Sequence, residues 1–189
     1  MNEFIPSPDN RLTSWMFAVV DKFKPLSGEE IRSELRRTAS PFAILASCIQ
    51  GDFNLSSLTR SANGFNAEKV FYTGKKKWDR RGAVGAHNYT PPEFLPNFSD
   101  VLALKQEYHF VAFENVGKTT RLDKFNWDFY PAKKPLILLG EEGNGLSDEM
   151  LALADDLIEI PMMGSVRSFN LAVAGSIAMY DFLSKKILL

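Results

Sequence analysis

Two short apolar runs, each ending in a glycine-bearing loop, constrain this chain more than any other feature. The first run is Leu136 to Leu139, followed by Gly140, Glu141, Glu142, Gly143, Asn144 and Gly145. An apolar run this short, closed by glycine, suits a buried strand better than a helix. The glycines let the backbone turn sharply and approach a ligand. Ser147 is placed to cap a helix through Met150, Leu151, Ala154 and Leu157. The second run, Leu157 to Met162, contains Pro161 and leads to the loop Gly164 to Asn170. An apolar helix is expected after it, from about Leu171 to Leu183.

Short strands alternating with helices predict an α/β fold with a mostly parallel sheet. In such sheets, ligands bind in the crevice beyond the carboxyl ends of the strands. The first loop is acidic at Glu141 and Glu142. A pyrophosphate cradle needs bare N–H groups and positive charge, so this loop is a poor one. It is compatible with a phosphate-free nucleoside that carries positive charge, such as S-adenosylmethionine with its sulfonium. Two plain structural turns account for the glycines equally well.

The chain has 189 residues, which suits one domain with a sizeable core. Its formal net charge of −1 predicts no nucleic-acid partner, so any RNA binding must come from a local patch. Its one cysteine, Cys48, has no intrachain partner and fits a reducing compartment. Cys48 lies in the apolar run Phe42 to Ile49 and reads as a buried core residue rather than a catalytic thiol. The run Trp15 to Val20 is too short for a signal core, and nothing approaches a membrane span. A cytoplasmic protein without a membrane partner is expected. No Cys/His spacing suggests a metal site.

Residues 1–41 read as an N-terminal extension and residues 42–189 as the main domain. Ser27 and Glu30 form a capping-box pattern before a charged helix of about Glu29 to Arg37. Arg32, Arg36 and Arg37 on that helix read as a solvated face before they read as phosphate contacts. Phe42 to Ile49 reads as the first strand. Asn54 is placed to cap the next helix and Gly64 to end it. From the residues alone, Arg60 on that helix is a surface cation. Lys69 to Thr73 is a second strand.

After it come Lys75, Lys76, Lys77, Arg80 and Arg81, opposed only by Asp79, with Tyr72, Trp78 and Tyr89 close by. Basic groups interleaved with aromatics suit phosphates and unpaired bases, and a solvated loop is the plainer reading. His87 and Asn88 are nearby polar residues with no assigned role. Tyr108 to Glu114 is a third strand. The sequence NVGKTT after it fails as a P-loop, because Ala112 stands where the first glycine is needed.

Three stretches together carry a resemblance. Asn54, Arg60 and Ala62 match the pattern N-x-G-x-x-x-R-x-A, with Ser56 in place of its glycine. Leu139, Gly140, Glu142, Gly143, Gly145 and Leu146 match L-G-x-E-G-x-G-L. Ile160, Pro161, Met162, Gly164, Ser168 and Asn170 match I-P-M-x-G-x-x-x-S-L-N, with Phe169 in place of its leucine. In this order and spacing the chain resembles the SpoU (TrmH) family of RNA 2′-O-ribose methyltransferases, in the SPOUT superfamily. The resemblance covers about residues 42–189.

The resemblance implies a C-terminal trefoil knot, a homodimer, and methyl transfer from S-adenosylmethionine to a ribose hydroxyl. It implies cofactor contacts at Gly140, Ile160, Met162, Gly164 and Phe169, with Glu114 as an addition. Asn54, Arg60, Glu142, Ser168 and Asn170 would form the catalytic group. The resemblance tips Lys75, Lys76, Lys77, Arg80 and Arg81 towards RNA binding. Arginine stays protonated, so Arg60 is better suited to binding phosphate and stabilising negative charge than to acting as a base. A small single-domain chain points to transfer RNA rather than ribosomal RNA. The alternatives are a non-catalytic RNA-binding module of this fold and an RNA base methyltransferase.

Overall fold

The computed structural model describes residues 19–50, 53–141 and 143–188. Its centre is a parallel sheet of seven strands in the order β3-β2-β1-β6-β4-β7-β5. The strands are β1 (Ser40–Ile49), β2 (Ala67–Gly74), β3 (Glu93–Phe94), β4 (Tyr108–Phe113), β5 (Thr120–Arg121), β6 (Lys134–Leu139) and β7 (Asp156–Glu159). The helices are α1 (Gly28–Arg37), α2 (Phe53–Gly64), α3 (Phe98–Ala103), α4 (Asp148–Leu153) and α5 (Leu171–Lys186).

The sheet is covered on both faces, which is why its central strands read as continuous apolar runs. Side chains alternate between the faces along each strand. Phe42, Ile44, Ala46, Ile137 and Leu139 pack with Leu55 and Leu58 of α2 and with Ala178, Met179 and Phe182 of α5. Ala43, Leu45, Leu136 and Leu138 pack on the other face with Val101 of α3 and Met150 of α4. Gly175 lets α5 sit close: a Cβ there would lie 2.5 Å from Leu58 Cδ1 and 2.8 Å from Leu139 Cδ1.

The connection from β4 to β6 crosses the same face. Trp127 is fully buried, and its indole N–H donates to Asp181 of α5 at 2.8 Å. Lys185 donates to the carbonyls of Leu122 and Phe125 at 2.8 and 2.9 Å. The expected capping box of Ser27 and Glu30 is present at α1. Asn66 fastens that helix to the sheet through the carbonyls of Leu35 and Thr38.

Three expectations are corrected. The helix after Ser147 stops at Leu153 instead of running to Leu157. Asp155 pairs with Phe110, its N–H donating to the carbonyl and its carboxylate accepting from the amide, so the ladder of β4 claims this segment. Cys48 is exposed rather than buried. The β1–β2 register shifts between Ala46 and Ile49, and Cys48 takes φ +57° there, which turns its side chain out of the ladder. Asn54 is no cap, because α2 already begins at Phe53. The segment after NVGKTT runs into β5, and no helix starts there, which agrees with rejecting a P-loop.

The β1–β2 irregularity depends on Gly74. It has φ +95°, and a Cβ there would lie 2.4 Å from the carbonyl oxygen of Ile49. Gly74→Ala is expected to lower stability by about 1–3 kcal/mol in urea denaturation. Gly64→Ala, in open space at the end of α2, is expected to be neutral or to stabilise by up to about 1 kcal/mol.

Candidate active site

The carboxyl ends of β1, β6, β4 and β7 lie side by side. The loops leaving them bring all three sequence motifs to one edge of the sheet. After β6 the chain folds back on itself, with the Gly145 N–H donating to the Glu141 carbonyl at 3.1 Å. Gly143 and Gly145 take φ +102° and +68°, where other residues are strained. Glu141 is gripped from both sides. Gln50, just beyond β1, donates to one carboxylate oxygen at 3.1 Å, and Asn144 donates to the other at 2.8 Å. The same loop contains Glu142, a proposed catalytic residue, which lies outside the described residues.

Glu114 follows β4 and reaches over this loop. It accepts from the Leu146 N–H at 3.1 Å, and its second oxygen accepts from the Asn115 N–H at 3.1 Å. A Cβ at Gly145 would lie 2.3 Å from that carboxylate. Glu114 therefore shapes the loop that carries Gly140. The Asn115 amide in turn donates to the carbonyl of Arg167, which ties β4 to the loop after β7. Ile160 and Met162 are half-buried, while Gly164, Ser168 and Phe169 are exposed on that loop.

Asn170 joins the third motif to the first. Its side-chain oxygen accepts from the Ala172 and Val173 N–H groups, capping α5. Its amide nitrogen donates to Asn54 Oδ1 at 2.7 Å. Asn54 sits in the first turn of α2, so one amide fixes the starts of two helices against each other.

Arg60 is placed differently. It is six residues beyond Asn54 on α2, hence about 9 Å along the axis and about 120° around it. It is exposed, and it forms no ion pair among the described residues. Between α2 and α5 lies an open groove of about 560 Å³, lined by Ser57, Ser61, Asn170, Val173, Ser176 and Tyr180 among others.

Ser56, the departure from the first motif, is fully buried, and its hydroxyl donates to the Phe53 carbonyl at 2.7 Å. Opposite it is Gly82, where a Cβ would lie 2.3 Å from the serine oxygen. The extra atoms of Ser56 are thus accommodated by a glycine across the contact.

In the loop after β2, Lys75, Lys76, Lys77 and Arg80 are exposed and form no ion pairs among the described residues. Arg81 is held in a fork by Asp79, at 2.6 and 3.0 Å. Trp78 meets His87 edge-on, with centroids 5.9 Å apart. Burial, with the nearby charge of Arg80, pushes His87 below its ordinary range, so it is neutral at physiological pH. Sequence reasoning missed Gln50, Asn115 and Gly82, which act through partners distant in the chain, and read Glu141 only as part of an acidic loop. The capping role of Asn170 did have a signal, an asparagine directly before an apolar helix.

The sequence profile of the SpoU rRNA methylase family matches residues 41–180. The chain belongs to that family. A tRNA (guanosine(18)-2′-O)-methyltransferase of Thermus thermophilus is 27% identical, with 80% of this chain and 78% of that one covered. A 23S rRNA (guanosine-2′-O-)-methyltransferase of Vibrio vulnificus is 26% identical, over 91% of this chain and 70% of that one. Among solved structures, the TrmH/SpoU tRNA modifying enzyme of A. aeolicus is similar with a TM-score of 0.72 and 22% identity, covering 85% of both chains. The SpoU methyltransferase AviRb of Streptomyces viridochromogenes, in complex with AdoMet, gives 0.68 and 22%, covering 82% of this chain and 65% of that one. These likenesses establish the fold.

Gly140 faces its own loop, since a Cβ would lie 2.3 Å from the Gly145 carbonyl carbon and 2.4 Å from the Leu146 nitrogen. Gly140→Ala is therefore expected to cost about 1–3 kcal/mol in thermal unfolding. In titration calorimetry it should also lose S-adenosylmethionine binding, because the loop cannot close.

Proposed function

We propose that this family member transfers a methyl group from S-adenosylmethionine to a ribose 2′-hydroxyl of RNA. The observation that carries the reading is the Asn170–Asn54 bond, which joins the first and third motifs beside the loop carrying the second. The named relatives support it, since both are RNA 2′-O-methyltransferases.

The crevice suits the cofactor. Its walls are backbone loops and the carboxylates Glu114 and Glu141, which favour a cationic nucleoside over a phosphate. When bound, the cofactor supplies an electrophilic methyl group. Gly140, Ile160, Met162, Gly164 and Phe169 hold it, mostly through the backbone, and Glu114 fixes the loop around it. Asn54, Ser168 and Asn170 orient the ribose, and Glu142 orients Asn54 or Arg60. Arg60 binds the adjoining phosphate and stabilises negative charge growing on the attacking oxygen. Lys75, Lys76, Lys77 and Arg80 bind further phosphates.

A second copy of the chain completes the site in this reading. Arg60 points about a third of a turn away from the Asn54 side of α2, so it reaches a reacting ribose more readily in a partner. Val173 and Tyr180 leave an apolar face of α5 exposed beside the α2–α5 groove, which supports a homodimer there. The trefoil knot is proposed from family membership. The family match begins at residue 41, which supports treating the preceding residues as an extension. Transfer RNA is the proposed substrate, supported by the Thermus relative. No helix among the described residues is long and apolar enough to cross a membrane. The single cysteine supports a cytoplasmic setting.

Arg60→Ala is expected to lower single-turnover methyl transfer at saturating RNA and cofactor by about a hundredfold or more. Cofactor affinity should be unchanged, and Arg60→Lys should rescue poorly for want of the planar fork. A near-wild-type rate would remove Arg60 from the mechanism. Co-expressing Arg60→Ala with Asn170→Ala should restore part of the activity, because one mixed site keeps both residues. Two inactive parents giving an inactive mixture would place Arg60 in its own subunit's site.

A further inference from the structure

Phe53 is out of place for a core-forming residue. It opens α2 directly before Asn54 and is 48% exposed. The guanidinium of Arg81 lies over its ring, 5.6 Å from the centroid. Asp79 fixes the orientation of that guanidinium by accepting from its Nε and Nη2. Arg81 is 82% exposed even so, because Asp79 grips only one edge. Gly82 brings this turn onto the helix: a Cβ there would lie 2.7 Å from Phe53 Cδ1. The ring is therefore held by its surroundings while much of it faces solvent.

We propose that Phe53, backed by Arg81, is a stacking platform for an unpaired nucleobase of the RNA next to the ribose that is methylated. The inference rests on the RNA reading above and deepens it. An aromatic ring backed on one face by a fixed guanidinium has its other face left for a base, which stacks without regard to base identity. Lys75, Lys76, Lys77 and Arg80, exposed and without ion pairs among the described residues, provide the positive charge that a flanking backbone needs. That charge selects a polyanion over an apolar protein partner. Phe53 lies seven residues before Arg60, about 10 Å along the same face of α2. A base stacked on the ring leaves a neighbouring ribose within reach of the first motif. A base inside a duplex has no free face to offer, so the platform selects looped or single-stranded RNA.

This assigns Arg81 different work from the lysines of the basic run. Arg81 is committed to Asp79 and to the ring, and contributes a plane. The lysines contribute unpaired charge.

The test uses the full chain and two fluorescein-labelled probes: a single-stranded 12-nucleotide RNA of mixed sequence, and the blunt duplex of the same sequence. Anisotropy titrations at several salt concentrations give affinity and salt slope. Wild type is expected to prefer the single strand. Phe53→Ala should weaken single-strand binding by about tenfold and leave duplex binding and both salt slopes unchanged. Phe53→Tyr should bind as wild type. Phe53→Leu, which keeps an apolar contact with Gly82, should bind like Phe53→Ala. Neutralising Lys75, Lys76 and Lys77 together should flatten both slopes.

If Phe53→Leu binds the single strand as tightly as wild type, the platform is overturned and the RNA reading stands. If wild type binds neither probe with a salt-dependent affinity, the RNA reading of this surface fails and takes the platform with it. If Phe53→Leu instead converts a dimer to a monomer in light scattering while binding RNA normally, the ring belongs to a protein interface and the proposal is wrong.

Discussion

The seat of α5 governs the site. That helix lies against α2 and the end of β6 at the distance a glycine permits, with Gly175 meeting Leu58 and Leu139. A side chain there would force Leu58 and Leu139 to repack or the helix to move outward. At the far end, Lys185 and Asp181 bind the connection between β4 and β6 through the Leu122 and Phe125 carbonyls and the Trp127 indole. Lys185 sits in the last turn, where its charge also suits the helix dipole. The helix is thus fixed in height by packing at Gly175 and in lengthwise position by polar contacts at its end. Asn170, at its start, has little freedom to be elsewhere.

The sequence made the centre of this architecture legible because the centre is made of strong local signals. Leu136 to Leu139 closing on Gly140, and the long apolar helix after Asn170, carry their burial in composition alone. What was illegible depends on distant partners. The strands Glu93–Phe94 and Thr120–Arg121 are too short to show any periodicity. The end of α4 was misjudged because Phe110, more than forty residues earlier, recruits Asp155 into the sheet. Cys48 lies in an apolar run, and only the register shift against β2 turns it outward.

The candidate site divides along the same line. The three motifs could be found, and their convergence follows from the order β1-β6-β4-β7 at the centre of the sheet. How residues are committed within it could not be read. Glu114 suggested a ligand contact, and its carboxylate also accepts from the Leu146 and Asn115 amides. Glu141 held an unassigned position in its motif, yet it links the turn after β1 to the loop after β6. The basic run looked uniform, although Arg81 differs from its neighbours in having a fixed partner. Each distinction is a matter of which hydrogen bonds are already occupied.

Asn170 leaves one consequence for how this protein moves. Helix ends are the parts of a fold that open most readily, at a small fraction of the global unfolding free energy. Here the end of α5 is closed by the same amide that holds Asn54, so fraying the first turn and dismantling the junction of the two motifs are a single event. The Ala172 and Val173 amides, which donate to Asn170, are exposed to solvent exchange when that turn frays. Their exchange rates therefore report how often the start of α5 opens. Anything that binds across the junction must slow them in proportion to its grip.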